Sequence, residues 1–269
     1  MNSFRGAVGL LLLGLWLIGS AQTPRIAIVM DDLGYQYTLD QAIMALDARV
    51  TIAIIPEAPG AGRLARQAGT QGREVLIHLP LAGIHEDNCE PALTCMGLDW
   101  SAEKMTHHLF DALARVEGAV GINNHQGSRF TRDSGAVSGL VDGLVKLKQV
   151  HDRSLFVLDS RTVPDSLLEE KALAAGLAAT RRHVFLDHFP DPDSIEHAWE
   201  QLQRMARSRG FAIAIGHPRR ETLEFLKQAL PALEQEGFQL VPVSELTRQR
   251  TLMVGPVAPG ETPPYPASR

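Results

Sequence analysis

The stretch Arg25-Ile26-Ala27-Ile28-Val29-Met30-Asp31-Asp32-Leu33-Gly34 decides how the rest of the chain is read. Its apolar, β-branched run has no polar alternation, as expected of a strand buried on both faces of a parallel sheet. Working outward, similar runs recur at Val50–Ile55, Glu74–Leu79, Val120–Asn123, Leu155–Leu158, Val184–Leu186, Ala212–Ile215 and Gln239–Val241. Helix-length segments lie between most of them: Tyr37–Leu46, Ala61–Ala68, Ala102–Val116, Ser134–Val150, Pro192–Arg209 and Arg220–Glu236. Ser101, Asp133 and Asp191 stand where N-caps are wanted, Pro192 is at the first helical position, and Gly210 comes just after the last. Pro231 predicts a kink or break in the final helix. Seven or eight strands alternating with helices argue an α/β domain with a mainly parallel sheet or barrel.

The 269 residues carry a formal net charge of −5 and are 6% aromatic. Neither a basic stripe nor stacking aromatics are on offer, so a nucleic-acid partner is excluded. At the N-terminus Arg5 precedes an apolar run from Val8 to Ile18, and Gly19-Ser20-Ala21 supplies the small residues a signal peptidase reads. Residues 1–21 are therefore expected to be a signal peptide, with an uncleaved anchor as the alternative and the only expected membrane contact. The remainder divides into a domain over 22–250 and a proline-rich tail over 251–269, expected to be disordered. Export to the periplasm or envelope agrees with Cys89 and Cys95, which share one turn-rich loop. A disulfide suits an oxidising compartment better than a two-thiolate metal site lacking further ligands.

In parallel α/β folds, sites form at the carboxyl ends of strands. Several of these strands end in residues capable of chemistry. Asp31 and Asp32 repel each other and resist desolvation unless a cation or shared proton relieves them. A metal would bind one and leave the other as a base; a helix cap with a spare aspartate is the plainer reading. His78 ends REVLIH, and Asn123-Asn124-His125-Gln126-Gly127-Ser128 is the densest polar cluster. Asp32, His78 and His125 make a one-carboxylate, two-imidazole set suited to Zn²⁺ or another divalent metal. Asn123, Asn124 and Ser128 are candidates to contact substrate. Asp159 and Asp187 are expected to orient an imidazole, or else to cap the next helix. His217, between Gly216 and Pro218, is presented rigidly enough for a general acid. His107, His108, His151, His188 and His197 read as surface residues. GxSxG, P-loop and GxGxxG signatures are absent, which removes serine-elbow and nucleotide chemistry.

In the order MDDLG, IHLPL, NNHQGSRFT, FVLDSRT, VFLD and AIGHP, these segments resemble the divergent polysaccharide deacetylases. These are distant relatives of the carbohydrate-esterase deacetylases of NodB-like fold. The resemblance runs from about Arg25 to Leu246 and implies a distorted (β/α) barrel of seven or eight mainly parallel strands. It further implies a divalent metal, usually zinc, with Asp31 as base, Asp32 and His78 as ligands and His217 as acid. Four residues after His78, where the better-known deacetylases place their second histidine ligand, this chain has Ala82. His125 is the candidate replacement.

The implied activity is metal-dependent removal of acetyl groups, as amide or ester, from an envelope carbohydrate. Two other readings stay open. One is a catalytically silent protein that binds glycan or a protein partner with the same barrel mouth. The other is a hydrolase of non-carbohydrate amides.

Overall fold

The computed structural model describes residues 22–83, 93–151 and 155–247. The expected signal peptide, Cys89 of the expected disulfide and the tail from 248 onward lie outside the described residues. So does the side chain of His151.

The described residues form nine strands and seven α-helices, which alternate for most of the chain. The strands are β1 (Arg25–Leu33), β2 (Thr51–Ile54), β3 (Val75–Leu81), β4 (Gly121–Gln126), β5 (Phe156–Asp159), β6 (Ala179–Arg181), β7 (Val184–Phe185), β8 (Phe211–Gly216) and β9 (Gln239–Leu240). The helices are α1 (Tyr37–Met44), α2 (Ala61–Thr70), α3 (Ala102–Arg115), α4 (Ser134–His151), α5 (Leu168–Ala174), α6 (Pro192–Arg209) and α7 (Arg220–Ala232). All strand pairings are parallel, in the order β6-β5-β4-β3-β2-β1-β8-β7. Strand β9 pairs with the first residues of β1, below the point where β2 joins it.

The two ends of this sheet, β6 and β7, are consecutive in the chain and separated only by Arg182 and His183. Three peptide units span at most ~11 Å. The sheet must therefore curl until its edges almost meet. A distorted (β/α) barrel results, closed by the chain itself rather than by a ladder between β6 and β7.

The expected caps hold. Ser101 accepts from Lys104 N at 3.2 Å, Asp133 from Ala136 N at 2.8 Å and Asp191 from Ser194 N at 2.9 Å. Each such cap contributes about 1 kcal/mol. Gly210 ends α6 at φ 82°, a conformation that an L side chain resists. Pro231 lies in the last turn of α7, and the helix stops at Ala232 rather than Glu236. Two short elements, β6 and α5, have no counterpart among the segments expected from sequence. Among the described residues no helix is long and apolar enough to cross a membrane.

Strand alternation produces two cores. Ile26, Ile28 and Met30 of β1 face the helices, as do Val75, Ile77 and Leu79 of β3 and Ala212 and Ala214 of β8. Ala27 and Val29 face the barrel interior, with Leu76, Phe156, Leu158, Ile213 and Ile215. Val241, Val243 and Leu246, from the C-terminal segment, join this inner core. Because a strand has period two, each inner row continues toward the carboxyl end at fixed positions. Those positions build the site.

Candidate metal and catalytic centre

The inward rows extend to Asp31 on β1, His78 on β3, Asn123 and His125 on β4, Ser160 after β5 and His217 after β8. Phe185 on β7 leads in the same way to Asp187. Asp32 has the wrong parity for this mouth. It reaches it because the β1–β2 register shifts between Met30 and Leu33 and Asp32 itself takes φ 59°. Such a backbone costs about 1–3 kcal/mol at a non-glycine residue. The other non-glycine residues with positive φ, Gln126 and Arg161, lie at the ends of β4 and β5 on the same rim. Gly34 completes the turn at φ 123°, where a Cβ would stand 2.4 Å from that of Ala58.

Three ligand atoms converge. Asp32 Oδ1 lies 2.9 Å from His125 Nδ1 and 3.0 Å from His78 Nε2, and the two imidazole nitrogens are 3.2 Å apart. Neighbouring donors around a tetrahedral ion with bonds of ~2.0–2.1 Å are separated by ~3.3 Å. The triangle therefore has nearly the dimensions of one face of such a site. At most one proton can lie between the two nitrogens, so a cation at their common focus satisfies the set better than hydrogen bonds do. These residues fit a divalent metal.

Ala82, four residues after His78, does not reach the mouth; its carbonyl accepts from Phe130 N and its N–H donates to Met96 O. The imidazole that comes to Asp32 and His78 is that of His125, from β4. His125 Nε2 is buried and has no hydrogen-bond partner among the described residues.

Beneath the triangle, Asn123 is fully buried. Its Nδ2 donates to Asp31 Oδ1 at 2.8 Å and to Ser160 Oγ at 3.2 Å, while its Oδ1 faces His78 Nδ1 at 2.9 Å. Asn124, of opposite parity, is buried on the other face of β4: its Nδ2 donates to Gln126 O, and its Oδ1 accepts from Ser160 N. Both amides were expected to contact substrate, but the structure commits them to the framework below the mouth. Ser128 remains half-buried in the loop after β4, beside Gly83.

Burial drives the electrostatics. It raises the Asp31 carboxyl above its ordinary 3.8, assisted by neighbouring Asp32 and opposed by His78, His217 and the Asn123 hydrogen bond. Asp32 feels the same desolvation, but hydrogen bonds and charge from His125 and His78 outweigh it and hold the carboxyl far below the usual range. Burial would depress His78, yet Asp31 and Asp32 raise it to about 9 in the metal-free protein.

On the far side, His217 Nε2 is 3.9 Å from Asp32 Oδ2. Its ring stacks on Phe185, with centroids 5.0 Å apart and planes at 22°. Asp187, fully buried, receives His217 Nδ1 at 2.8 Å on Oδ1, and on Oδ2 both His217 N and Thr222 Oγ1 at 2.7 Å. Desolvation pulls His217 down, but the Asp187 hydrogen bond and the surrounding carboxylates raise it overall. Asp187 is lowered by the same contact, against its own burial.

Asp159 does not share this role. It lies in phase with Val157, on the helix side of β5, and not with Leu158. Its Oδ1 accepts from Arg161 N at 2.8 Å and its Oδ2 from Ser166 Oγ at 2.7 Å and Glu169 N at 3.4 Å. It organises the β5–α5 connection and orients no imidazole.

His108 also differs from expectation. It is largely buried against the edge of Trp100, 3.8 Å from Glu57. His107, His188 and His197 are exposed as expected.

Sequence reasoning missed Arg182 and Phe185. Arg182 donates to Ser160 O at 2.7 Å and Arg161 O at 2.8 Å, and its guanidinium lies over the Phe185 ring. Burial pushes its pKa down to about 10, against the opposing charge of Asp31. Its only sequence signal is its place between two short strands, one of them unrecognised.

The curled parallel barrel has the NodB-like fold. The family model described as divergent polysaccharide deacetylase matches residues 28–247, and the chain belongs to that family. An uncharacterized protein of Haemophilus influenzae is 34% identical over 229 residues, 85% of this chain and 79% of its own length. The uncharacterized protein YibQ of Escherichia coli K12 is 31% identical over 241 residues, 89% of this chain and 70% of its own. The crystal structure of an uncharacterized protein from Agrobacterium tumefaciens is similar at a TM-score of 0.76 and 25% identity, covering 84% of this chain and 90% of its own.

Proposed function

We propose that this protein is an exported, metal-dependent hydrolase that removes acetyl groups from an envelope carbohydrate. The observation that carries the reading is the triangle of Asp32 Oδ1, His78 Nε2 and His125 Nδ1, flanked by a buried carboxylate on one side and a carboxylate-held imidazole on the other. Asp32, His78 and His125 would hold the ion, with zinc the best match to one oxygen and two nitrogen donors. When bound, such an ion lowers the pKa of a water toward neutrality and polarises an acyl oxygen.

The chain's own residues supply the proton traffic. Asp31 accepts the proton of the attacking water, and its raised pKa makes it a stronger base than an exposed aspartate. His217, its Nδ1 proton fixed by Asp187, presents Nε2–H to the departing amine or alkoxide. Phe185 packs on the face of this ring and limits its rotation. Export rests on the apolar run from Val8 to Ile18 and the small residues directly after it.

The test is acetate release from N- and O-acetylated glycans by protein loaded with one equivalent of zinc, with zinc content measured in parallel. Turnover that tracks zinc occupancy supports the proposal. Absence of both turnover and stoichiometric metal binding overturns it.

A further inference from the structure

Asn123 hydrogen-bonds to both halves of the proposed machinery, His78 on one side and Asp31 on the other. An amide is polar at two ends of opposite kind, and here each end meets a different functional group. Oδ1 can only accept, so the 2.9 Å contact with His78 keeps a proton on Nδ1 and leaves Nε2, which faces Asp32 and His125, as the nitrogen that would bind the ion. Nδ2 can only donate, so the 2.8 Å contact with Asp31 Oδ1 stabilises the ionised carboxylate and fixes its orientation.

The amide's own orientation is set independently. Its second N–H reaches Ser160 Oγ at 3.2 Å, and its position on β4 is locked by pairing with His78 on β3 and Leu158 on β5. With no exposed surface, Asn123 has no water to substitute for any of these bonds.

We infer that Asn123 is a positioning residue that couples the tautomer of ligand His78 to the orientation of base Asp31. This rests on the function proposed above and assigns Asn123 a role other than substrate contact. Aspartate at this position keeps an acceptor for His78 but sets a carboxylate oxygen against Asp31. Leucine has the same shape and neither polar end. The two substitutions therefore separate the two jobs.

The experiment measures zinc affinity by chelator competition, steady-state deacetylation, and metal-free crystal structures for wild type, Asn123→Asp and Asn123→Leu. Asn123→Asp is expected to bind zinc within about threefold of wild type while kcat falls at least ~10-fold at unchanged KM. Asn123→Leu is expected to lose ~10–100-fold in zinc affinity, the usual cost of an outer partner to a ligating histidine. In its crystal structure the His78 ring is expected to rotate away from its wild-type pose.

Equal zinc affinities in the two variants overturn the inference, as does wild-type turnover in Asn123→Asp. Should Asn123→Leu fail to fold, the Asn123→Asp arm decides alone. Should wild type neither bind zinc nor release acetate, the proposed function fails. The ring pose and the Asp31 position in the variant crystals then still decide the coupling, and wild-type poses in both refute it.

Discussion

Asp32 Oδ1 and His125 Nδ1 lie 2.9 Å apart although 93 positions separate them in the chain. The contact joins the end of β1 to the end of β4 across the mouth, and it places an imidazole where Ala82 leaves none. Substituting His125→Ala should remove one of three ligands. Zinc affinity should then fall by more than the ~10–100-fold typical of losing an outer partner. Competition with a chromophoric chelator measures this, and unchanged affinity would show that His125 is not a ligand.

Asp31→Asn keeps the shape of the base and its contact with Asn123 but removes its capacity to take a proton. Deacetylation should drop by ~10²–10⁴-fold, the range general-base catalysis usually contributes. Zinc content should stay stoichiometric. Thermal stability should not fall, because the substitution removes a buried carboxylate that sits beside another.

The Asp187–His217 pair fixes two pH effects. Asp187 stabilises the imidazolium, so Asp187→Asn should move the alkaline limb of the kcat profile to lower pH. The stability contributions have opposite limits. His217, raised in the fold, stabilises fully below its ordinary 6.5 and loses that contribution as pH climbs through its folded value. Asp187, lowered in the fold, stabilises fully above its ordinary 3.8 and loses that contribution as pH falls through its folded value. The melting-temperature gap between metal-free wild type and Asp187→Asn should therefore be widest between about pH 4 and 6.5. A gap that does not vary with pH would contradict the assignment.

Asp159→Ala should behave differently from every substitution in the mouth. It deletes three local hydrogen bonds that organise the start of α5, at about 1–3 kcal/mol. A loss of several degrees in Tm is expected, with kcat/KM within about twofold of wild type. A fall in turnover at unchanged stability would return Asp159 to the site.

Much of this was legible in the sequence. The apolar runs and the caps at Ser101, Asp133 and Asp191 set the α/β alternation, because burial and capping act over a few residues. Polar endings on those runs marked the mouth. Asp159 shares the parity of Val157, so its side chain turns outward toward the helices, and alternation alone separates it from the residues of the mouth. Strand parity likewise placed Asp31, His78, Asn123, His125 and His217 in one interior row each.

What only the tertiary structure decided is what happens between rows. That β6 comes after β5 and lies two residues from β7, closing the barrel, depends on strands of three and two residues, too short to show a pattern. The turn of Asp32 into the mouth against its parity depends on a register shift with β2 and a left-handed backbone, neither of which a residue type announces. Whether Asn123 faces substrate or the framework was settled by burial, since an amide can serve either use. Asp32 apart, the sequence alone determined which groups lie at the rim, because side-chain direction has period two. The distances that bring Asp32, His78 and His125 within 3.2 Å of one another depend on how far each strand runs and how the sheet curls, and those are set by packing.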